Sequence, residues 1–207
     1  MDVNTIVFDL GGVIINLNVP RCVSNFKRLM PEENIRNILG IDDEGEGVVA
    51  VSAATKQLMH DYEYGNITTD EFLRTLQEYC FEGTTIEQIR EAWLSMLDDL
   101  PQERLDYIAE LRKKGYRTIL LSNSNELHWD PIWEQYHLGD YFEVVFASHY
   151  LHMAKPNQEI FDHVVREAKI DCAHAIYVDD LEKNRKAGEQ FAGWKTVASI
   201  DDLKLMI

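Results

Sequence analysis

FDLGGVIIN, Phe8–Asn16, is the stretch on which the fold turns. A short apolar run, Ile6-Val7-Phe8, reaches one carboxylate, Asp9, and then meets two glycines. A strand that ends on a lone acid and then sheds its side chains has two readings. Either Asp9 caps a turn, or the chain is clearing room around a reactive carboxylate. The other strand ends have to decide.

Downstream, the pattern alternates. "LPQERLDYIAELRKKG" reads as a helix, with Pro101 in its first turn, Leu105, Ile108 and Leu111 on one face, and Gly115 as its stop. "YRTILLSNSN" is a buried strand running into polar loop residues, and "WDPIWEQYH" is helical with Pro131 near its start. "FEVVFAS", "HAIYVDD" and "WKTVAS" read as strands, with "NQEIFDHVVREAK" and "EKNRKAGEQFAG" as helices between them. This alternation predicts an α/β, doubly wound (Rossmann-like) parallel sheet with both faces covered.

Residues 17–97 break the pattern, because no comparable apolar strand occurs there. "EENIRNILG" and "ATKQLMHDYEYG" read as helices. "TTDEFLRTLQEYC" and "TTIEQIREAWLSML" open with Thr68–Glu71 and Thr84–Glu87, spaced as capping boxes. "DDEGEGVVAVSAA" fits no element well. The expectation is an all-helical cap, 17–97, inserted into an α/β core formed by 1–16 and 98–207.

Charge and cysteines narrow the class. The 207 residues carry 20 basic and 36 acidic side chains, a formal net charge of −16, which disfavours nucleic acid as a partner. An anionic substrate then needs local cations. Cys22, Cys80 and Cys172 are too few and too scattered for a disulfide framework or a zinc site. No run approaches the roughly 18 apolar residues of a membrane span, and no leader pattern opens the chain. A reduced, cytoplasmic protein without a membrane partner is the expectation.

In open parallel sheets, ligands bind beyond the carboxyl ends of the strands. Those ends carry Asp9, then Ser122-Asn123, then a loop reaching Lys155-Pro156, then Asp179-Asp180. Each alone is commonplace, whereas four on one sheet edge make a coherent chemistry. Clustered carboxylates suit Mg²⁺, which accepts oxygen ligands and phosphate oxygens. A carboxylate can attack phosphorus. Lys155 supplies a cation for the transferring oxygens, and Ser122 a compact donor.

"DLGGV", "LLSNSN", "AKP" and "VDDLEKN", in this order, resemble the four motifs of the haloacid dehalogenase (HAD) superfamily. The helical insertion resembles that superfamily's helical cap subclass. "FDLGGVIINLNVPR", "LSNSNELH" and "YVDDLEKN" are most similar to the branch that includes α-D-glucose-1-phosphate phosphatases. The resemblance implies an Mg²⁺-dependent phosphatase for a small phosphorylated metabolite, such as glucose 1-phosphate. It makes Asp9 the nucleophile and a metal ligand, with Ser122 and Asn123 on the phosphate. Lys155 would bridge nucleophile and phosphate. Asp180 would be the side-chain metal ligand, with Asp179 a nearby ligand or water-holder. Asn184 matches an Asn used by some relatives.

One position departs from the pattern. Most phosphatases of the superfamily carry a second Asp two residues after the nucleophile, where this chain has Gly11. That acid protonates the leaving group, help worth about 10²–10⁴ in rate. Gly11 retains the backbone carbonyl that serves as a metal ligand in the superfamily. The gap leaves two alternatives to a phosphatase: a 2-haloacid dehalogenase, or a non-catalytic phosphate-binding or interaction protein. Elsewhere, His128 is a conceivable proton donor but reads first as structural. Trp129, Trp133 and Tyr136 read as packing, Arg21 as an exposed partner of acids, and the cysteines as buried apolar residues.

Overall fold

The computed structural model describes residues 3–39 and 53–207. Most of "DDEGEGVVAVSAA" lies outside those residues. Five parallel strands form one sheet in the order β3-β2-β1-β4-β5: β1 (Thr5–Phe8), β2 (Arg117–Ser122), β3 (Val144–Ala147), β4 (Ala175–Val178) and β5 (Lys195–Val197). β1 is central and wholly buried, with Phe8 paired to Leu120 on one side and Val178 on the other. The chain leaves β1 for one half of the sheet and later returns to its other side at β4. That reversal between β1 and β4 is where a doubly wound sheet opens a crevice.

Apolar layers cover both faces. Ile6, Phe8, Leu105, Ile108, Leu111 and Leu120 join one layer, and Val7, Ile119, Phe161, Val164 and Tyr177 join the other. Alternate β1 residues thus point to opposite layers, as the strand's period of two requires. The helix α6 (Gln102–Lys113) buries Leu105, Ile108 and Leu111 as the periodicity predicts, but Pro101 is its N-cap rather than a first-turn residue. The helix α7 (Glu126–Tyr136) begins earlier than expected, because Asn125 caps it by accepting from the His128 N–H. Pro131 therefore sits inside the helix, and the Leu127 carbonyl receives no N–H from it. After α10 (Glu182–Ala187), a final helix, α11 (Ile200–Met206), capped by Ser199, was not evident from periodicity.

Between β1 and α6 lie α1 (Val19–Phe26), α2 (Glu32–Leu39), α3 (Ala53–Glu63), α4 (Thr69–Gln77) and α5 (Ile86–Leu94). They share an apolar cluster that includes Cys22, Phe26, Phe72, Leu76 and Trp93 and that Leu127 of α7 also joins. Thr68 and Glu71 form the expected capping box. The second box is one residue later than predicted, at Thr85 and Gln88. Thr84 instead turns its hydroxyl toward the Leu29 carbonyl, 3.3 Å away, which frees Thr85 to cap. The two chain crossings between helices and sheet run antiparallel. Asn16 N donates to Asp99 O and Asp98 N to Asn16 O, each at 3.0 Å. Arg21 clamps this ribbon, bonding Ser95 O, Leu97 O and Asp98. Of the cysteines, only Cys22 is fully buried; Cys80 and Cys172 are partly exposed. Among the described residues, no helix is long and apolar enough to cross a membrane.

Candidate active site

Asp9 follows β1 directly and is 7% exposed. Its N–H donates to Val178 O at 2.8 Å, tying the end of β1 to the end of β4. Oδ1 accepts from the Leu10 N–H at 2.7 Å and lies 2.9 Å from Lys155 Nζ. Lys155 reaches in from the loop before α9 (Gln158–Glu167) and is almost entirely buried. Its ammonium also donates to Asp179 at 2.7 Å and to Leu121 O at 3.0 Å. All three of its hydrogens are thus spent inside the protein, so it acts on a neighbouring anion as a charge.

Burial pushes the Asp9 carboxyl up to about 6, with Asp179 adding to the rise and Lys155 opposing it. Burial alone would favour discharging Lys155, but Asp9 and Asp179 outweigh it and hold the ammonium above the ordinary lysine value. Asp180 is raised by burial and by Asp179.

The acid pair divides its labour. Asp179 is fully buried, and both of its oxygens are engaged. Lys155 and the Tyr177 hydroxyl bond Oδ2, the Leu181 N–H bonds Oδ1 at 2.9 Å, and the Asn184 amide reaches both at 3.1 Å. Asp180 is solvent-accessible. Arg185 fixes the pair's backbone, donating to Asp179 O at 2.7 Å and Asp180 O at 2.6 Å. Oxygens of Asp9, Asp179 and Asp180 lie within 4.8 Å of one another. Gly12 makes this approach feasible: at φ +75°, a Cβ there would stand 2.4 Å from Asp180 Oδ2.

The Ser122 hydroxyl, buried at the end of β2, lies 3.3 Å from Asn123 O. The Asn123 side chain accepts from Lys155 N at 2.9 Å and donates to Lys155 O at 2.8 Å and to Glu63. Both amide hydrogens are committed, so this side chain holds the lysine loop. Asp9, Gly11, Asn123, Lys155, Asp180 and Asn184 all line one cavity of about 660 Å³, which Lys183 also borders. That size accommodates a small ligand.

Of the strand-end residues singled out in the sequence, Asp9, Asn123, Lys155 and Asp180 line this cavity, Asp179 stands behind it on Lys155, and Ser122 is buried at the end of β2 outside the lining. Tyr177, Arg185 and Glu63 were missed and carried no local signal; of the two glycines read as clearing room beside Asp9, Gly12 is the one that Asp180 requires. His128 stacks on Trp93 and bonds its carbonyl at 3.1 Å. Burial lowers its pKa to about 4, so it is a neutral structural ring. Trp129 and Trp133 stack on one another in the sheet's core.

The geometry agrees with what the chain resembles. Residues 3–191 match the model of the haloacid dehalogenase-like hydrolases. The chain is 30% identical over 200 residues to a D-ribitol-5-phosphate phosphatase of Bacteroides thetaiotaomicron, covering 94% of this chain and 90% of that protein. A HAD family enzyme of Bacteroides thetaiotaomicron, solved with magnesium and inorganic phosphate, superposes with a TM-score of 0.77 at 33% identity, over 95% of this chain and 93% of that one. A predicted HAD-like family hydrolase of Porphyromonas gingivalis superposes with a TM-score of 0.82 at 28% identity, covering 100% of this chain and 98% of that one. The motifs, the sheet and the family match converge on one conclusion: the chain belongs to the haloacid dehalogenase-like hydrolases.

Proposed function

We propose that this hydrolase is an Mg²⁺-dependent phosphatase that acts on a small sugar phosphate through an aspartyl-phosphate on Asp9. One observation carries the reading: a buried carboxylate in contact with a buried ammonium, facing two further acids within 4.8 Å. Three carboxylates against one lysine leave excess negative charge, and the donors are all oxygen. That set fits a hard divalent cation. Asp9, Asp180 and the Gly11 carbonyl would hold Mg²⁺, with Asp179 as a nearby ligand or water-holder. When bound, the ion supplies charge neutralisation between nucleophile and phosphate.

The protein's own groups do the rest. Both contacts to Asp9 fall on Oδ1, so Oδ2 is the oxygen left for attack. As Oδ2 bonds to phosphorus, the bond to the ester oxygen breaks and its electron pair leaves with that oxygen, which takes a proton from solvent water. Ser122 turns its hydroxyl to a phosphoryl oxygen, and Lys155 contributes positive charge. Water then attacks the phosphorus, the bond to Asp9 breaks, and inorganic phosphate departs. In a dehalogenase, the Asp179–Asp180 pair would have no comparable task.

Gly11 supplies no acid for the leaving oxygen. An anomeric oxygen bears developing charge with less help than a primary alkoxide. Glucose 1-phosphate is therefore expected to exceed glucose 6-phosphate in kcat/KM. The relative that acts on D-ribitol 5-phosphate favours a second reading, in which a linear sugar-alcohol phosphate is preferred. Phosphate release from all three esters, with and without Mg²⁺, discriminates the two. Halide release from chloroacetate without Mg²⁺ dependence would overturn both.

The raised Asp9 carboxyl predicts a pH dependence for metal binding. Below about 6, a proton occupies the group that would hold Mg²⁺. Apparent Mg²⁺ affinity should therefore be about tenfold weaker at pH 5 than at pH 7. Calorimetric titration at the two values checks this. Equal affinities would remove Asp9 from the ligand set.

A further inference from the structure

A carboxylate from the helical insertion reaches the catalytic loop. Glu63, the last residue of α3, accepts a hydrogen bond from the Asn123 amide. The same amide grips both the N–H and the carbonyl of Lys155. The chain from cap to chemistry is thus Glu63, Asn123, the Lys155 backbone, and the Lys155 ammonium 2.9 Å from Asp9.

The segment carrying Glu63 is itself pinned to the core. Ser148 donates to Glu63 O at 2.8 Å and also contacts both backbone groups of Ser124, next to Asn123. The His152 ring contacts Tyr64 O at 2.7 Å, and Asn157 donates to the Tyr64 hydroxyl at 2.6 Å. Gly65, at φ +66°, runs so close to α8 (Ser148–Leu151) that a Cβ would lie 2.1 Å from His149 O. Glu63 is therefore held in register with Asn123 through its own carbonyl and the two residues that follow it.

We propose that Glu63 is a positioning residue for the phosphatase reaction: by accepting from Asn123, it fixes the orientation of the Lys155 loop and couples cap placement to the nucleophile. Lys155 has no spare hydrogen with which to correct a shift. A small rotation of its backbone therefore alters its contact with Asp9 directly. Glu63 has no need to touch substrate for this role. An acceptor oxygen at its position suffices.

The inference rests on the phosphatase reading, which turnover of p-nitrophenyl phosphate by the wild type with Mg²⁺ would test independently. Glu63→Gln keeps an acceptor oxygen, and Glu63→Ala removes it. Glu63→Ala is expected to lower kcat on the order of 10²-fold, as small misplacements of catalytic groups do. KM and the melting temperature should stay near the wild-type values. Glu63→Gln should restore most of kcat. In a double-mutant cycle, Glu63→Ala added to Asn123→Ala should cause little further loss, because the first acts through the second. Three results would overturn the assignment: an unimpaired Glu63→Ala, a Glu63→Gln as damaged as the alanine, or fully additive losses in the cycle. An inactive wild type would instead overturn the phosphatase reading and this inference with it.

Discussion

Asp9→Asn is expected to abolish turnover, by at least about 10⁴-fold in kcat, while leaving the fold intact. The geometry makes the substitution unusually clean. Lys155 and the Leu10 N–H both address Oδ1, so an asparagine can place its amide oxygen there and keep both contacts. Its NH₂ then replaces Oδ2, the oxygen proposed to attack. The variant should therefore retain the loop and lose only the nucleophile.

The raised carboxyl sharpens the control. Its value rises from 3.8 to about 6 on folding, chiefly through burial. The folded protein thus holds this proton more tightly than the unfolded chain does. In metal-free buffer, Asp9 makes the wild type lose stability as pH rises from 3.8 toward about 6. Asp9→Asn should lack that component, and melting curves across this window test it. Substantial turnover by the variant, once deamidation is excluded by mass spectrometry, would remove Asp9 as nucleophile.

The legibility of this site follows from the physics of each signal. Strand ends were readable because the buried runs of β1, β2 and β4 are apolar up to their carboxyl ends, so the first polar residue after each run marks its exit. Asp9, Ser122 and Asp179 all stand at such transitions. The cap helices showed through their capping boxes, although Thr84 and Thr85 could not be told apart before Leu29 O was known to engage Thr84. Glu63 was invisible because its meaning lies in Asn123, 60 residues away in the chain. Tyr177 reads as an ordinary strand residue until its hydroxyl is seen on Asp179. Adjacent acids look alike in sequence; the fold buries one and exposes the other.

That difference predicts opposite phenotypes for the pair. Asp179→Ala should chiefly destabilise the protein. It removes a partner from a fully buried Lys155 and strands the Tyr177 hydroxyl and the Asn184 amide. Breaking a buried ion pair from one side costs about 3–5 kcal/mol. For a chain of this size, that corresponds to a fall of about 10 °C in melting temperature. Asp180→Ala deletes a solvent-accessible carboxylate that Gly12 allows close to the loop after β1. Its melting temperature in metal-free buffer should stay near that of the wild type. Its Mg²⁺ affinity should instead fall, on the order of 10²-fold, because Mg²⁺ tolerates a depleted octahedral shell badly. Asp179→Ala is expected to weaken Mg²⁺ less than Asp180→Ala does, when both are compared below their melting transitions. Thermal melts in EDTA, set beside Mg²⁺ titrations of both variants, separate the two effects. If Asp180→Ala binds Mg²⁺ like the wild type, Asp180 is not a ligand. If Asp179→Ala melts normally but loses the metal, the ligand role belongs to the buried member of the pair, and its bonds to Lys155, Tyr177 and Asn184 orient it rather than hold the fold.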